Sequence, residues 1–182
     1  MNERHPIHVF KYCPRCGSSE FRVTGSRSMC CGDCGFQFYV NSSAAVAVLI
    51  FNCEGKLLVT RRAVDPDKGK MDLPGGFVDP DETAEEAVRR ELKEELGVKV
   101  KSLRYLTSSS NQYPFSGIVV FTLDLLFRAE IEDTENMSAS DDISAFEWID
   151  PGTVDAGEIP SHSIRYFIKE IALREKTNPS QN

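Results

Sequence analysis

Residues 76–98 read Gly76-Phe-Val-Asp-Pro-Asp-Glu-Thr-Ala-Glu-Glu-Ala-Val-Arg-Arg-Glu-Leu-Lys-Glu-Glu-Leu-Gly97-Val98, and they say more about fold and chemistry than the rest of the chain. Thr83 and Glu86 have the spacing of a capping box, so a helix is predicted to start at Ala84. Gly97 stands where a helix stops in a left-handed turn. At about 100° per residue, Glu91, Glu94 and Glu95 share an arc of roughly 100° on that helix. Val88, Leu92 and Leu96 fill the neighbouring arc, which faces a core. Three carboxylates crowded beside an apolar stripe repel one another unless a cation sits among them. Hard oxygen donors in such a cluster suit Mg²⁺ or Mn²⁺. A Glu-rich helix face is often no more than a solvated surface. Here, however, Arg90 lies one turn from both Glu86 and Glu94, where it can hold the acidic face together.

The segment resembles the Nudix box, Gly-x5-Glu-x7-Arg-Glu-U-x-Glu-Glu-x-Gly-U, where U is a bulky apolar residue. Gly76, Glu82, Arg90, Glu91, Leu92, Glu94, Glu95, Gly97 and Val98 fill every specified position. The likeness extends over at least Asn41 to Ile171. It implies a Nudix α/β/α sandwich with a mixed sheet and hydrolysis of a diphosphate joining a nucleoside to a second group. It further implies Glu91, Glu94 and Glu95 as Mg²⁺ ligands, one of them perhaps the base, with the Gly75 carbonyl as a further candidate ligand. Arg90 then orients Glu91 and Glu94, and Glu82 anchors the loop. Asp142, six residues before Trp148, fills the place of an additional acid in relatives, although Asp141 stands beside it.

Cysteine spacing gives a second site. Cys13-Pro-Arg-Cys16-Gly and Cys31-Gly-Asp-Cys34-Gly are matched knuckles, and thiolates in two such hairpins converge tetrahedrally on Zn²⁺. The predicted structure is a structural zinc ribbon over residues 1–40. A closed four-cysteine shell leaves no position for substrate, and the metal substitutes for a core that so short a piece cannot build. Redox dithiols and disulfides are the competing readings. Cys30 could replace Cys31, but Cys31 restores the symmetry of the two knuckles. Cys53 reads as a small buried side chain.

Composition bounds the rest. The chain has 182 residues, 41% of them hydrophobic, and a net charge of −7. That suits one Nudix-sized domain over residues 41–175, with the ribbon before it and a disordered tail over 176–182. The N-terminus lacks the apolar stretch of a signal peptide, and no apolar run approaches membrane-spanning length, which points to the cytoplasm. The acidic balance argues against a broad nucleic-acid footprint. Strands are predicted over Ser43–Asn52, Lys56–Arg62, Val98–Thr107, Gly117–Phe127 and Ala145–Ile149. An amphipathic helix is predicted over Ser161–Arg174, and Glu130–Asp142 reads as a mobile acidic insertion.

The flanks bear on substrate. Arg61-Arg62-Ala63, the loop Leu73-Pro-Gly-Gly-Phe77-Val and the preceding ribbon resemble the NADH pyrophosphatase branch. That branch has a Ser-Gln-Pro-Trp-Pro-Phe-Pro-x-Ser signature, whose counterpart here is Ser110-Asn-Gln-Tyr113-Pro-Phe-Ser116, with Tyr for Trp and two prolines absent. The branch's own N-terminal domain is also missing. The resemblance implies splitting of NADH- or NAD-like dinucleotides into two mononucleotides, with dimerisation by analogy. ADP-ribose or a nucleotide sugar is the runner-up substrate, and a nucleotide-sensing regulator is a reading from another class. Phe77 and Tyr113 offer ring faces to a base, and Arg61 and Arg62 could pair with phosphates. Strand alternation lets only one of the two arginines face a cleft.

Overall fold

The computed structural model describes residues 4–132, 134 and 136–177. The chain divides into two compact units. One comprises the chain up to Ser43 together with Gln112–Phe121; the other comprises Ala44–Asn111 and the chain from Thr122 onward.

In the first unit a short helix α1 (Pro6–Val9) precedes an antiparallel three-stranded sheet of β1 (Phe21–Val23), β2 (Ser28–Cys31) and β3 (Gln37–Tyr39), in that order. Its interior is small: Ile7, Cys13, Phe21, Met29 and Cys31 are its buried residues, with Phe36 and Phe38 packed against them. Residues 112–121, the tip of a hairpin, belong to this unit; Val119 N–H donates to the Arg4 carbonyl at 2.9 Å, and the Phe121 ring packs on His5.

The second unit is built on two three-stranded sheets. One has the order β4 (Ser43–Leu49), β8 (Ile118–Ile131), β7 (Val100–Phe115); the other has the order β6 (Met71–Asp72), β5 (Leu57–Arg62), β9 (Ile143–Ile149). Alternation along β4 and β5 sends Val46, Val48 and Leu58 into a cluster with Ala87, Val88, Leu92 and Leu96 of helix α2 (Ala84–Leu96). The intervening Ala47, Leu49, Leu57 and Val59 enter a second cluster with Ile164, Phe167 and Ile168 from the C-terminal helical run. That run is α3 (His162–Tyr166), a π-helical segment (Phe167–Ala172) and α4 (Leu173–Thr177). Helices on opposite faces of the strands make the expected α/β/α sandwich.

Three expectations are corrected. The hairpin strands β7 and β8 run well past the predicted Thr107 and Phe127, and join through Ser116-Gly117, both at positive φ. Two such residues in a row match the right-handed twist of paired strands, so the polar Ser108–Phe115 segment is strand rather than loop. The acidic insertion is held: Ser138 N–H donates to the Leu96 carbonyl and Ser140 N–H to the Glu95 carbonyl. These amides satisfy carbonyls that the C-terminus of α2 leaves without intrahelical partners. Finally, Lys176 and Thr177, expected in the tail, close α4, with Lys176 Nζ 2.8 Å from Asp150 Oδ2. The rest of the predicted tail, residues 178–182, lies outside the described residues. Among the described residues no helix is long and apolar enough to cross a membrane.

Candidate functional site

Helix α2 forms where its sequence says it should. The Thr83 hydroxyl accepts from Glu86 N–H, the Glu86 carboxylate accepts from Thr83 N–H, and Gly97 ends the helix at φ 71°. Burial of Val88, Leu92 and Leu96, about 1.5–3 kcal/mol for each side chain, fixes which way the helix faces. The three box glutamates are then graded. Glu94 is 47% exposed and Glu91 12% by side chain, and Glu95 is 4% exposed. Helical geometry accounts for the order: Glu95 stands about 60° round the helix from Leu92, Glu91 about 100° and Glu94 about 160°.

The loop before the helix is zipped to β4. Val48 N–H donates to the Pro74 carbonyl, Val46 N–H to Gly76 and Val78 N–H to Ala44. This alternation leaves the Gly75 carbonyl unengaged by β4, while Gly75 N–H donates to Glu95 Oε2 at 2.9 Å. Gly75 has φ 136°, and a Cβ there would collide with the Val46 carbonyl oxygen. Gly76 has no room either, because a Cβ would meet the Glu91 carboxylate. Gly75→Ala is therefore expected to lower stability by on the order of 3 kcal/mol and to cut turnover by displacing the loop from Glu95. Thermal denaturation and an activity assay on the same preparation check both.

Arg90 is the hub. Its Nε and Nη2 donate to the two oxygens of Glu82, each at 2.9 Å, and its Nη1 donates to Glu91 Oε1 at 2.8 Å and Glu94 Oε2 at 3.1 Å. Nη2 also donates to the Phe77 carbonyl. The guanidinium thus ties loop to helix, and it holds the Glu82 carboxyl below its usual range, helped by the Asp79 amide. The inner carboxyls go the other way. Burial raises Glu91, against the pull of Arg90, with the Glu94 and Asp141 charges adding to the rise. Burial pushes Glu95 up to about 8, opposed by the Gly75 amide and reinforced by Glu91, Asp72 and Asp141. Of the two acids weighed in the sequence, Asp141 is the one whose charge reaches both glutamates; Asp142 accepts a hydrogen bond from Ala63 N–H through its carbonyl.

Arg61 and Arg62 diverge as alternation requires, but carboxylates hold both. Arg61 meets Glu147 at 2.7 Å and Glu158 at 2.9 Å; Arg62 meets Asp72 at 3.1 Å. Phe77, on the box loop, is 45% exposed. Tyr113 lies in the other unit, its ring stacked on Phe115 at 6.1 Å.

The cysteines converge. The Sγ atoms of Cys13, Cys16, Cys31 and Cys34 lie within 4.8 Å of one another, the one such cluster of three or more His, Cys, Asp or Glu ligand atoms among the described residues. The Cys13–Cys34 and Cys16–Cys31 separations are both 3.7 Å. Four sulfurs at about 2.3 Å from a tetrahedral Zn²⁺ stand roughly 3.8 Å apart, so the set fits that ion. The amide of Cys34, with that of Asp33, brings Cys31 down to about 7 against burial, which favours the thiolate a metal needs. Cys30 points its sulfur at the Cys31 carbonyl instead, and Cys53, expected to be buried, is exposed in the turn between β4 and β5.

Comparison with known proteins follows from this geometry. Residues 41–168 match the NUDIX domain model. The chain belongs to the Nudix family. Two curated relatives are both named NAD-capped RNA hydrolase NudC. The protein from Stutzerimonas stutzeri is 29% identical over 95% of this chain and 60% of its own length; that from Chromobacterium violaceum is 33% identical over 81% and 52%. The chain thus spans between half and two thirds of the length of these relatives. Among solved structures, a NUDIX hydrolase from Nitrosomonas europaea superposes with a TM-score of 0.69 at 22% identity, covering 93% of this chain and 94% of that one. The α/β fold with its mixed sheet is therefore the Nudix fold.

Proposed function

We propose that this Nudix chain is a Mg²⁺- or Mn²⁺-dependent pyrophosphohydrolase that splits NADH- or NAD-like dinucleotides into two mononucleotides. The observation that carries the reading is the gathering of Glu91, Glu94 and Glu95 on one flank of α2, clamped by Arg90 and backed by the Gly75 loop. Magnesium is held through one or two carboxylates plus substrate phosphates and keeps several waters. A graded set of oxygens fits it without a closed protein cage. Glu91, Glu94 and Glu95 would hold the ion, with the Gly75 carbonyl and Asp141 or Asp142 as further donors. Once bound, it neutralises the diphosphate and acidifies a coordinated water.

The protein's own groups do the rest. Water oxygen attacks one phosphorus, the anhydride P–O bond breaks, and the departing phosphate leaves with the electron pair. The water's proton passes to one of the same three carboxylates. Arg90 keeps Glu91 and Glu94 in register while this happens, and Glu82 keeps Arg90. Phe77 offers a ring face to a base, Tyr113 is assigned the same task on sequence likeness, and Arg61 or Arg62 would exchange a carboxylate partner for a phosphate. We assign Zn²⁺ to the four cysteines, as a structural ion.

The relatives' name supports nicotinamide dinucleotides over other nucleotide diphosphates. Purified protein with Mg²⁺ should turn over NADH, NAD and NAD joined to RNA, which share one diphosphate, faster than ADP-ribose or nucleotide sugars. Cleavage of ADP-ribose with intact NADH would reassign the substrate. Binding of either without cleavage by any metal would favour the sensor reading.

A further inference from the structure

Asp124 lies in the middle of β8 and is 6% exposed. Its one hydrogen bond comes from the Ser163 hydroxyl, and no Lys, Arg or His pairs with it among the described residues. Ser163 is fully buried at the start of α3, and its hydroxyl lies 2.9 Å from that of Ser161. Two residues before Asp124, and so on the same face of β8, Thr122 is 4% exposed with a hydroxyl that has no partner. A buried carboxylate without a cation and a buried hydroxyl without an acceptor are both costly. Pinning α3 to β8 does not require them: an Asn would accept the Ser163 hydroxyl equally well, with no charge to bury.

The position of the pair points to a ligand. The charge of Asp124 reaches Asp72, and that of Asp72 reaches Glu95 of the box. The two unsatisfied groups thus lie within electrostatic reach of the acids assigned to the diphosphate, on a part of β8 that the catalytic residues do not use.

We propose that Asp124, Thr122 and Ser163 form a subsite that recognises the substrate's base through its N–H donors, those of a carboxamide or an exocyclic amine, and rejects a carboxylate in that place. The subsite rests on the pyrophosphohydrolase reading for its substrate and on the buried, unpaired groups for its chemistry. An N–H donor satisfies the free oxygen of Asp124, and Thr122 bonds the same group; a carboxylate there meets only like charge.

The test separates the two readings by measuring binding apart from turnover. Calorimetry is run with nicotinamide mononucleotide and its nicotinate counterpart, and with adenosine and inosine monophosphates. Wild type should prefer the amide or amine member of at least one pair. Asp124→Asn, which can donate to a carboxylate, should shrink that preference by about tenfold or more. Thr122→Val removes the unpartnered hydroxyl, so it should raise the thermal midpoint while weakening binding of the preferred nucleotide. Equal affinity for both members of both pairs in wild type overturns the proposal, as does an unchanged preference in Asp124→Asn. So does a Thr122→Val protein that gains stability and binds as before. Absence of hydrolysis with base selectivity intact counts against the hydrolase reading alone.

Discussion

Glu95→Gln is expected to lower turnover of any diphosphate substrate by about 10³-fold and, in chelator, to make the protein more stable at neutral pH. The two effects have one origin. Glu95 is buried beside Glu91, within reach of Asp72 and Asp141, and its carboxyl is pushed up to about 8. In the unfolded chain it returns to about 4.5. The folded state therefore holds the proton more tightly, so stability falls as pH rises from about 4.5 towards 8 and levels off above that. Gln keeps an oxygen for the Gly75 amide, now 2.9 Å from Glu95 Oε2, and has no charge to desolvate. At pH 7–8 the variant should gain on the order of 2 kcal/mol, a few degrees in thermal midpoint; near pH 4 the two proteins should melt together. Glu94→Gln is the control: at 47% exposure it should lose activity with little change in stability at any pH. Full turnover in Glu95→Gln would remove Glu95 from the reaction. A variant melting below wild type at pH 8 would show that burial of this charge is not the liability its surroundings indicate.

Glu95 also illustrates what the sequence could disclose. The capping box, the helix start at Ala84 and the stop at Gly97 depend on contacts within a few residues, so they can be read directly from letters and spacing. The same angles that place Glu91, Glu94 and Glu95 on one arc contain their burial order, since Glu95 is nearest to Leu92 round the helix. The graded ionisation follows from that order. The cysteine knuckles are similar: each is local, and a tetrahedral ion explains why two must meet.

What could not be read depends on pairing across the chain. Ser108–Phe115 is polar and looks like loop, but its partner strand and the Ser116-Gly117 turn make it β7. The segment before β9 is acidic and looks mobile, yet the orphan carbonyls at the end of α2 hold it through Ser138 and Ser140. Arg61 and Arg62 read as free cations because Glu147, Glu158 and Asp72 are distant in sequence or unremarkable. A signal was available for Asp124: a lone acid inside the apolar run Val119–Phe127 is expensive in a strand and points to something that uses it.

Removing zinc from the four cysteines is expected to unfold the ribbon while leaving the Nudix unit intact. The ribbon's buried set is five residues, and two of those are Cys13 and Cys31. Without metal so small an interior does not hold a folded segment, whereas binding of structural zinc supplies about 10–16 kcal/mol. The full chain purified without chelator should carry close to one zinc by elemental analysis. After strong chelation, hydrogen exchange should become fast at the β1–β2–β3 amides and stay slow along α2, whose stripe of Val88, Leu92 and Leu96 needs no metal. Single substitutions test the ligand assignment. Cys31→Ser should lose zinc and ribbon protection together, because its sulfur lies 3.7 Å from that of Cys16. Cys30→Ser should retain both, since the Cys30 sulfur turns to the Cys31 carbonyl. Zinc loss of equal size in the two variants would break the ligand set drawn here, and a zinc-free preparation with slow exchange throughout the ribbon would remove the metal from its folding altogether.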